Sequence, residues 1–149
     1  MIRFETKYLF FDRKKVIDHT DRATRRVLSK FGAFVRQTAK RSIRRRKRPS
    51  RPGQPPSSHV GLLKRRIFFG YDREKQSVVI GPAPINQRSP YPGVTVPELL
   101  EEGGRVRRRE KGGKSEVLHY EARPYMGPAF EKELPKLPSM WRNSIRPRK

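Results

Sequence analysis

The sequence predicts an α+β fold, with a long N-terminal helix, a small antiparallel sheet, a shorter C-terminal helix and extended proline-rich loops. Three observations predict it. Apolar residues recur at steps of three and four over residues 16–43, the spacing of one helix face. Two runs rich in β-branched and aromatic residues, 67–71 and 77–81, flank a polar connection at 72–76, the pattern of a hairpin. Tyr125, Met126, Ala129, Phe130 and Leu134 repeat the helical spacing near the end.

Taken in order, residues 1–11 alternate Ile2, Phe4 and Thr6 with Arg3, Glu5 and Lys7, which suggests a short strand or an extended arm. Asp12 is placed to cap a helix. The stripe then runs through Val16, Thr20, Ala23, Val27, Phe31, Phe34 or Val35, and Thr38, widened by Leu28, Ala39 and Ile43. No proline interrupts it before Pro49. One helix over about 13–45 would be roughly 50 Å long; a break into two helices near Gly32 is the alternative. Such a helix outruns the core that a domain this small can offer. Part of it is therefore expected on a neighbouring subunit, with Val27, Phe31, Phe34 and Val35 as interface residues.

Pro49 is expected to end the helix. Residues 44–60 form a basic, proline-rich loop, whose prolines favour a semi-rigid path. A helical turn at Leu62-Leu63 precedes the hairpin. Residues 82–95 read as a second proline-rich loop. Pro97 and the glutamates after it suit a short helix start, and Gly103-Gly104 suits its end. Residues 103–115 read as a basic, glycine-containing loop, and 116–120 as a third strand. Pro135 and Pro138 would stop or kink the last helix.

Composition bounds the function. The 149 residues fit one domain, 1–149, and only 33% are apolar, below the usual globular share of about 45–50%. There is no cysteine, which excludes disulfides, Cys-ligated metal and thiol chemistry. The longest apolar run near the start is Tyr8-Leu9-Phe10-Phe11, far short of a membrane span or a signal-peptide core. A soluble intracellular chain with no membrane partner is expected.

The formal net charge is +23, and self-repulsion of that size opposes a compact monomer unless a polyanion or an acidic partner relieves it. Nine basic residues and no acidic one lie between Arg36 and Arg51. Lys40, Arg41, Arg44, Arg45, Arg46, Lys47, Arg48 and Arg51 are therefore the candidate contacts to nucleic acid or to an acidic partner. A solvated, flexible arm is the alternative reading of the same block.

Enzyme signatures are missing. His19, His59 and His119 are isolated from one another, so no helical metal-binding pair exists. Gly112-Gly113-Lys114-Ser115 resembles the end of a phosphate-binding loop, but position 108 is Arg where that loop needs Gly. Glu98, Glu101 and Glu102 sit where they complement a helix dipole. No catalytic residue, cofactor or metal ligand is expected, and a nuclease is the one enzyme class that the charge invites.

Three segments remain. They are Arg51-Pro52-Gly53-Gln54-Pro55-Pro56 with His59-Val60-Gly61-Leu62-Leu63-Lys64 and Ile67; Val96-Pro97-Glu98-Leu99-Leu100-Glu101-Glu102-Gly103-Gly104; and Ala122-Arg123-Pro124-Tyr125-Met126 with Pro128-Ala129-Phe130. In this order, after a basic helix, they resemble the neck or tail-completion (head–tail joining) proteins of tailed bacteriophages, over about residues 15–140. The resemblance implies a structural virion protein, not an enzyme, with no cofactor. It implies a homo-oligomeric ring of roughly six or twelve copies in the head–tail connector, made in the host cytoplasm. Its implied neighbours are head-completion or adaptor proteins, tail-tube or tail-terminator proteins, and the genomic double-stranded DNA in the channel. The competing reading is a basic nucleic-acid-binding protein such as a ribosomal protein.

Overall fold

A computed structural model describes residues 12–83, 95–109, 115–142 and 144. The expected N-terminal strand and most of the second proline-rich loop lie outside the described residues.

Helix α1 spans Arg13–Ser42, about 45 Å at 1.5 Å per residue. Asp12 caps it, its carboxylate accepting from the Lys15 backbone N–H at 3.0 Å. The helix ends earlier than Pro49 would require. Ile43 turns to an extended conformation at the C-cap and is itself buried, so burial of one apolar side chain fixes the end. The helix passes unbroken through Gly32. There the next element approaches too closely for a side chain: an added Cβ would lie 2.7 Å from Val78 Cγ2 and 3.0 Å from Phe69 Cδ2.

The element lying on Gly32 is the hairpin β1 (Ile67–Asp72) and β2 (Ser77–Pro82), antiparallel with Ile67 opposite Pro82 and Asp72 opposite Ser77. The one-turn helix α2 (Leu62–Arg65) precedes it. Helix α3 (Val96–Glu102) opens with a capping box between Thr95 and Glu98 and closes at Gly103, whose φ is 75°. Only glycine fits Gly103, because a Cβ would meet the Tyr120 carbonyl oxygen at 2.8 Å.

Residues 103–115 are not one loop. Strand β3 (Gly104–Arg109) pairs antiparallel with β4 (Ser115–Tyr120), so the expected single sheet is two separate two-stranded sheets. Helix α4 (Met126–Glu133) then leads through a 3₁₀ turn, Leu134–Lys136, into helix α5 (Leu137–Arg142). Pro135 and Pro138 redirect the last helix here without ending it. Each sits near the start of a new helical segment, where its missing N–H costs nothing.

The core lies between the C-terminal two thirds of α1, the β1–β2 hairpin and α4. It gathers Phe31, Val35, Ala39, Ile43, Leu63, Ile67, Tyr125 and Ala129. Phe31 meets Phe130 edge to face, with ring centroids 5.7 Å apart. This corrects the interface assignment. Val27, Phe31 and Val35 are 3%, 2% and 1% exposed, while Phe34 is 39% exposed. Three of the four expected interface residues thus fill the chain's own core, because α4 and the hairpin cover that face of α1. The surplus length of α1 lies at its start: residues 13–22 are all exposed, Val16 and Ile17 by 48% and 47%.

Candidate functional site

The basic loop after α1 is a tethered structure. Arg44 forms a parallel bridge with Ser57, and the Ser58 N–H donates to the Arg44 carbonyl at 3.0 Å. The Arg45 Nε–H donates to the His59 carbonyl at 3.2 Å. Farther along, the Gly53 N–H reaches the Ala122 carbonyl at 2.8 Å, and Arg123 Nε donates to the Ser50 carbonyl at 3.1 Å. Four prolines between 49 and 56 stiffen the path. The flexible-arm alternative therefore does not describe residues 44–60.

The tethers open a cleft of about 690 Å³ beside the end of α1. It is lined by Arg41, Arg44, Arg46 and Arg51, by Ser42, Ser50, Ser57 and Gln54, and by Pro55. No acidic residue lines it. None of the four guanidiniums has an ion pair or hydrogen bond among the described residues; the three ion pairs there are Lys15–Asp12, His119–Glu121 and Lys136–Glu133. The Ser50 hydroxyl is shut from solvent and has no hydrogen-bond partner among the described residues.

The eight candidate contacts thus divide. Arg41, Arg44, Arg46 and Arg51 line the cleft. Arg45 is turned back to the His59 carbonyl. Lys40 is half-buried, and burial, then the nearby charges of Arg36 and Lys64, hold its ammonium below the usual lysine range. Lys47 and Arg48 are exposed but outside the cleft lining. The serines, Gln54 and the tethering Arg123 were not among the expected contacts. Serine and glutamine carry no charge signal, and the role of Arg123 depends on a partner 73 residues away in sequence.

The three sequence segments that carry the phage resemblance meet in one place. The Gly53–Ala122 bond joins the first to the third. The Arg123 N–H donates to the Leu100 carbonyl at 2.7 Å, joining the third to the second. Glu101 strengthens that link. Its carboxylate accepts from the backbone N–H groups of Tyr125 at 2.9 Å, Met126 at 3.0 Å and Gly127 at 2.8 Å. A carboxylate there satisfies the free N–H groups of the α4 start and complements its dipole. Glu98 is held in the capping box of α3. Both carboxylates accept from backbone N–H groups, and among the described residues no cluster of three His, Asp or Glu could hold a metal ion.

Tyr125 anchors this junction. Its ring is in the core, and its hydroxyl is buried with no hydrogen-bond partner among the described residues. Burial first, and the Glu101 charge second, push its pKa well above the usual tyrosine range. An apolar groove of about 330 Å³ is lined by Val35, Val78, Ile80, Met126, Gly127 and Phe130. No described helix is long and apolar enough to cross a membrane.

No protein-family model, curated protein or solved structure matches this chain.

Proposed function

We propose that the chain is a structural protein of the neck of a tailed-phage virion, assembling as a homo-oligomeric ring that joins the head side to the tail. The observation that carries this reading is the meeting of the three sequence segments. Segments separated by up to about 70 residues act as one hydrogen-bonded junction built on Gly53, Leu100, Glu101, Ala122 and Arg123. Residues at that junction hold backbone in place, the role a structural signature has.

Two surfaces support the ring. A ring needs a heterologous contact, one patch of each copy meeting a different patch of the next. The exposed start of α1 offers Val16 and Ile17, and the groove beside Phe130 offers a separate apolar surface. Electron microscopy of the purified protein tests the reading. Rings with a central opening are expected. Particles that remain compact monomers, alone and when mixed with the portal-side and tail-side proteins of the same virion, would reject it.

A further inference from the structure

We propose that the arginine cleft at the end of α1 is a phosphate site that takes the sugar–phosphate backbone of nucleic acid, without regard to base sequence. This goes beyond a ring-forming role, and the cleft carries it whether or not the ring forms.

Four arginines line one concavity, and none has an ion pair among the described residues. Holding like charges together is unfavourable unless an anion joins them. The other lining groups are hydroxyls and an amide: Ser42, Ser50, Ser57 and Gln54. Arginine with serine, threonine, asparagine or glutamine is the donor set that contacts phosphate oxygens. Arginine can also bind carboxylates, so the lining must decide between phosphate and an acidic protein. A protein partner would need apolar anchors at the centre of its contact. Pro55 is the one apolar residue in the lining, and the chain's exposed apolar side chains lie elsewhere. A small organic ligand is disfavoured on the same ground, since such pockets are mostly apolar.

A further feature fits. The loop is fixed by the Arg44–Ser57 bridge and by Arg123 on the Ser50 carbonyl, so little ordering cost remains on binding. No element here presents side chains in the pattern that reads base edges, so recognition stays on the backbone.

The test is fluorescence anisotropy with a labelled duplex of about 30 base pairs and mixed sequence, over roughly 50–200 mM salt. One variant changes Arg41, Arg44, Arg46 and Arg51 to Gln. A second, Arg13→Gln, Lys14→Gln, Arg25→Gln and Arg73→Gln, removes equal charge from exposed positions outside the cleft. A third changes the four cleft arginines to Lys. The first variant should bind at least about tenfold more weakly, with a salt slope reduced by up to about 3.6, at ~0.9 for each phosphate left unneutralised. The second should stay within about threefold of the parent, and the third should keep most of the slope. Equal losses in the first and second variants would mean diffuse charge and no site. Unchanged duplex binding in the first variant, with loss of binding to a labelled poly-glutamate, would assign the cleft to an acidic protein; either result overturns the proposal. Electron microscopy of the first variant reads ring formation separately, so failure of the phosphate site and failure of the ring are told apart.

Discussion

A Cβ at Gly32 would lie 2.7 Å from Val78 Cγ2 and 3.0 Å from Phe69 Cδ2, and this sets two effects against each other. Alanine would favour the helix by about 1 kcal/mol. Forcing the methyl against the hairpin costs about 1–3 kcal/mol, so the steric effect wins. Gly32→Ala should lower stability by about 1 kcal/mol in urea unfolding. The same substitution should cost less in a Val78→Ala background, where the nearest atom is gone. If Gly32→Ala stabilises the protein, the close approach of β1 and β2 to the helix is not what keeps glycine there. The sequence could show a glycine in a helical stripe but not its reason, because the contact joins residues 46 positions apart.

Helix α1 and helix α4 are joined by one buried charge. Glu133 is almost fully buried and accepts from Thr38 Oγ1 at 2.6 Å and from Lys136 Nζ at 2.6 Å. The hydrogen bond from Lys136, then that from Thr38, hold its carboxyl below the usual range, against the opposing effect of burial. A folded-state pKa below the unfolded one stabilises the fold above the unfolded value, and the gain is lost as pH falls through the folded value. Melting temperature against pH for the parent and Glu133→Gln should show a gap that is widest above the ordinary carboxylate range and closes as pH falls below that range. A gap that does not change with pH would mean that the charge of Glu133 is not what joins the helices. Elements defined by apolar periodicity were legible in the sequence: α1, the β1–β2 hairpin and α4. Strand β3 was not, because Val106 is its one apolar side chain and four of its six residues are arginine. Its pairing rests on the backbone ladder, opposite Leu118 and Val117 of β4, and backbone pairing leaves little trace in composition. The candidate site was legible as charge alone. Which four of the eight basic residues share a cleft depends on the fold of the loop, down to the Arg44–Ser57 bridge and the turn of Arg45 toward His59.

For the molecule as a whole, the question is which apolar surface the fold leaves for another copy. The helix stripe looked like one continuous surface, but the fold divides it. From Ala23 onward it is covered by the hairpin and the C-terminal helices; before that it is exposed, with Val16 and Ile17 on the uncovered turns and Phe34 at the margin of the covered part. The two parts should respond oppositely to substitution. Phe31→Asp puts a charge in the core and should unfold the chain, since truncating a core phenylalanine alone costs about 3–5 kcal/mol. Its failure to assemble would say nothing about an interface. Val16→Ser, Ile17→Ser and Phe34→Ser together lie outside the core cluster, so the fold should be kept, at a cost of about 0.5 kcal/mol at each of the first two sites and more at Phe34, which is only 39% exposed. Assembly should nevertheless fall sharply, because apolar contact must offset the repulsion between copies that each carry a formal charge of +23. Sedimentation velocity on the folded triple variant reads the outcome, with thermal melting as the control. Loss of the oligomer with a cooperative melt retained places the contact at the start of α1 and the Phe34 margin. An oligomer that persists unchanged in the triple variant removes these residues from the interface and leaves the hairpin surfaces, Phe68 and Val79 on one and Val117 on the other, as the contact to test.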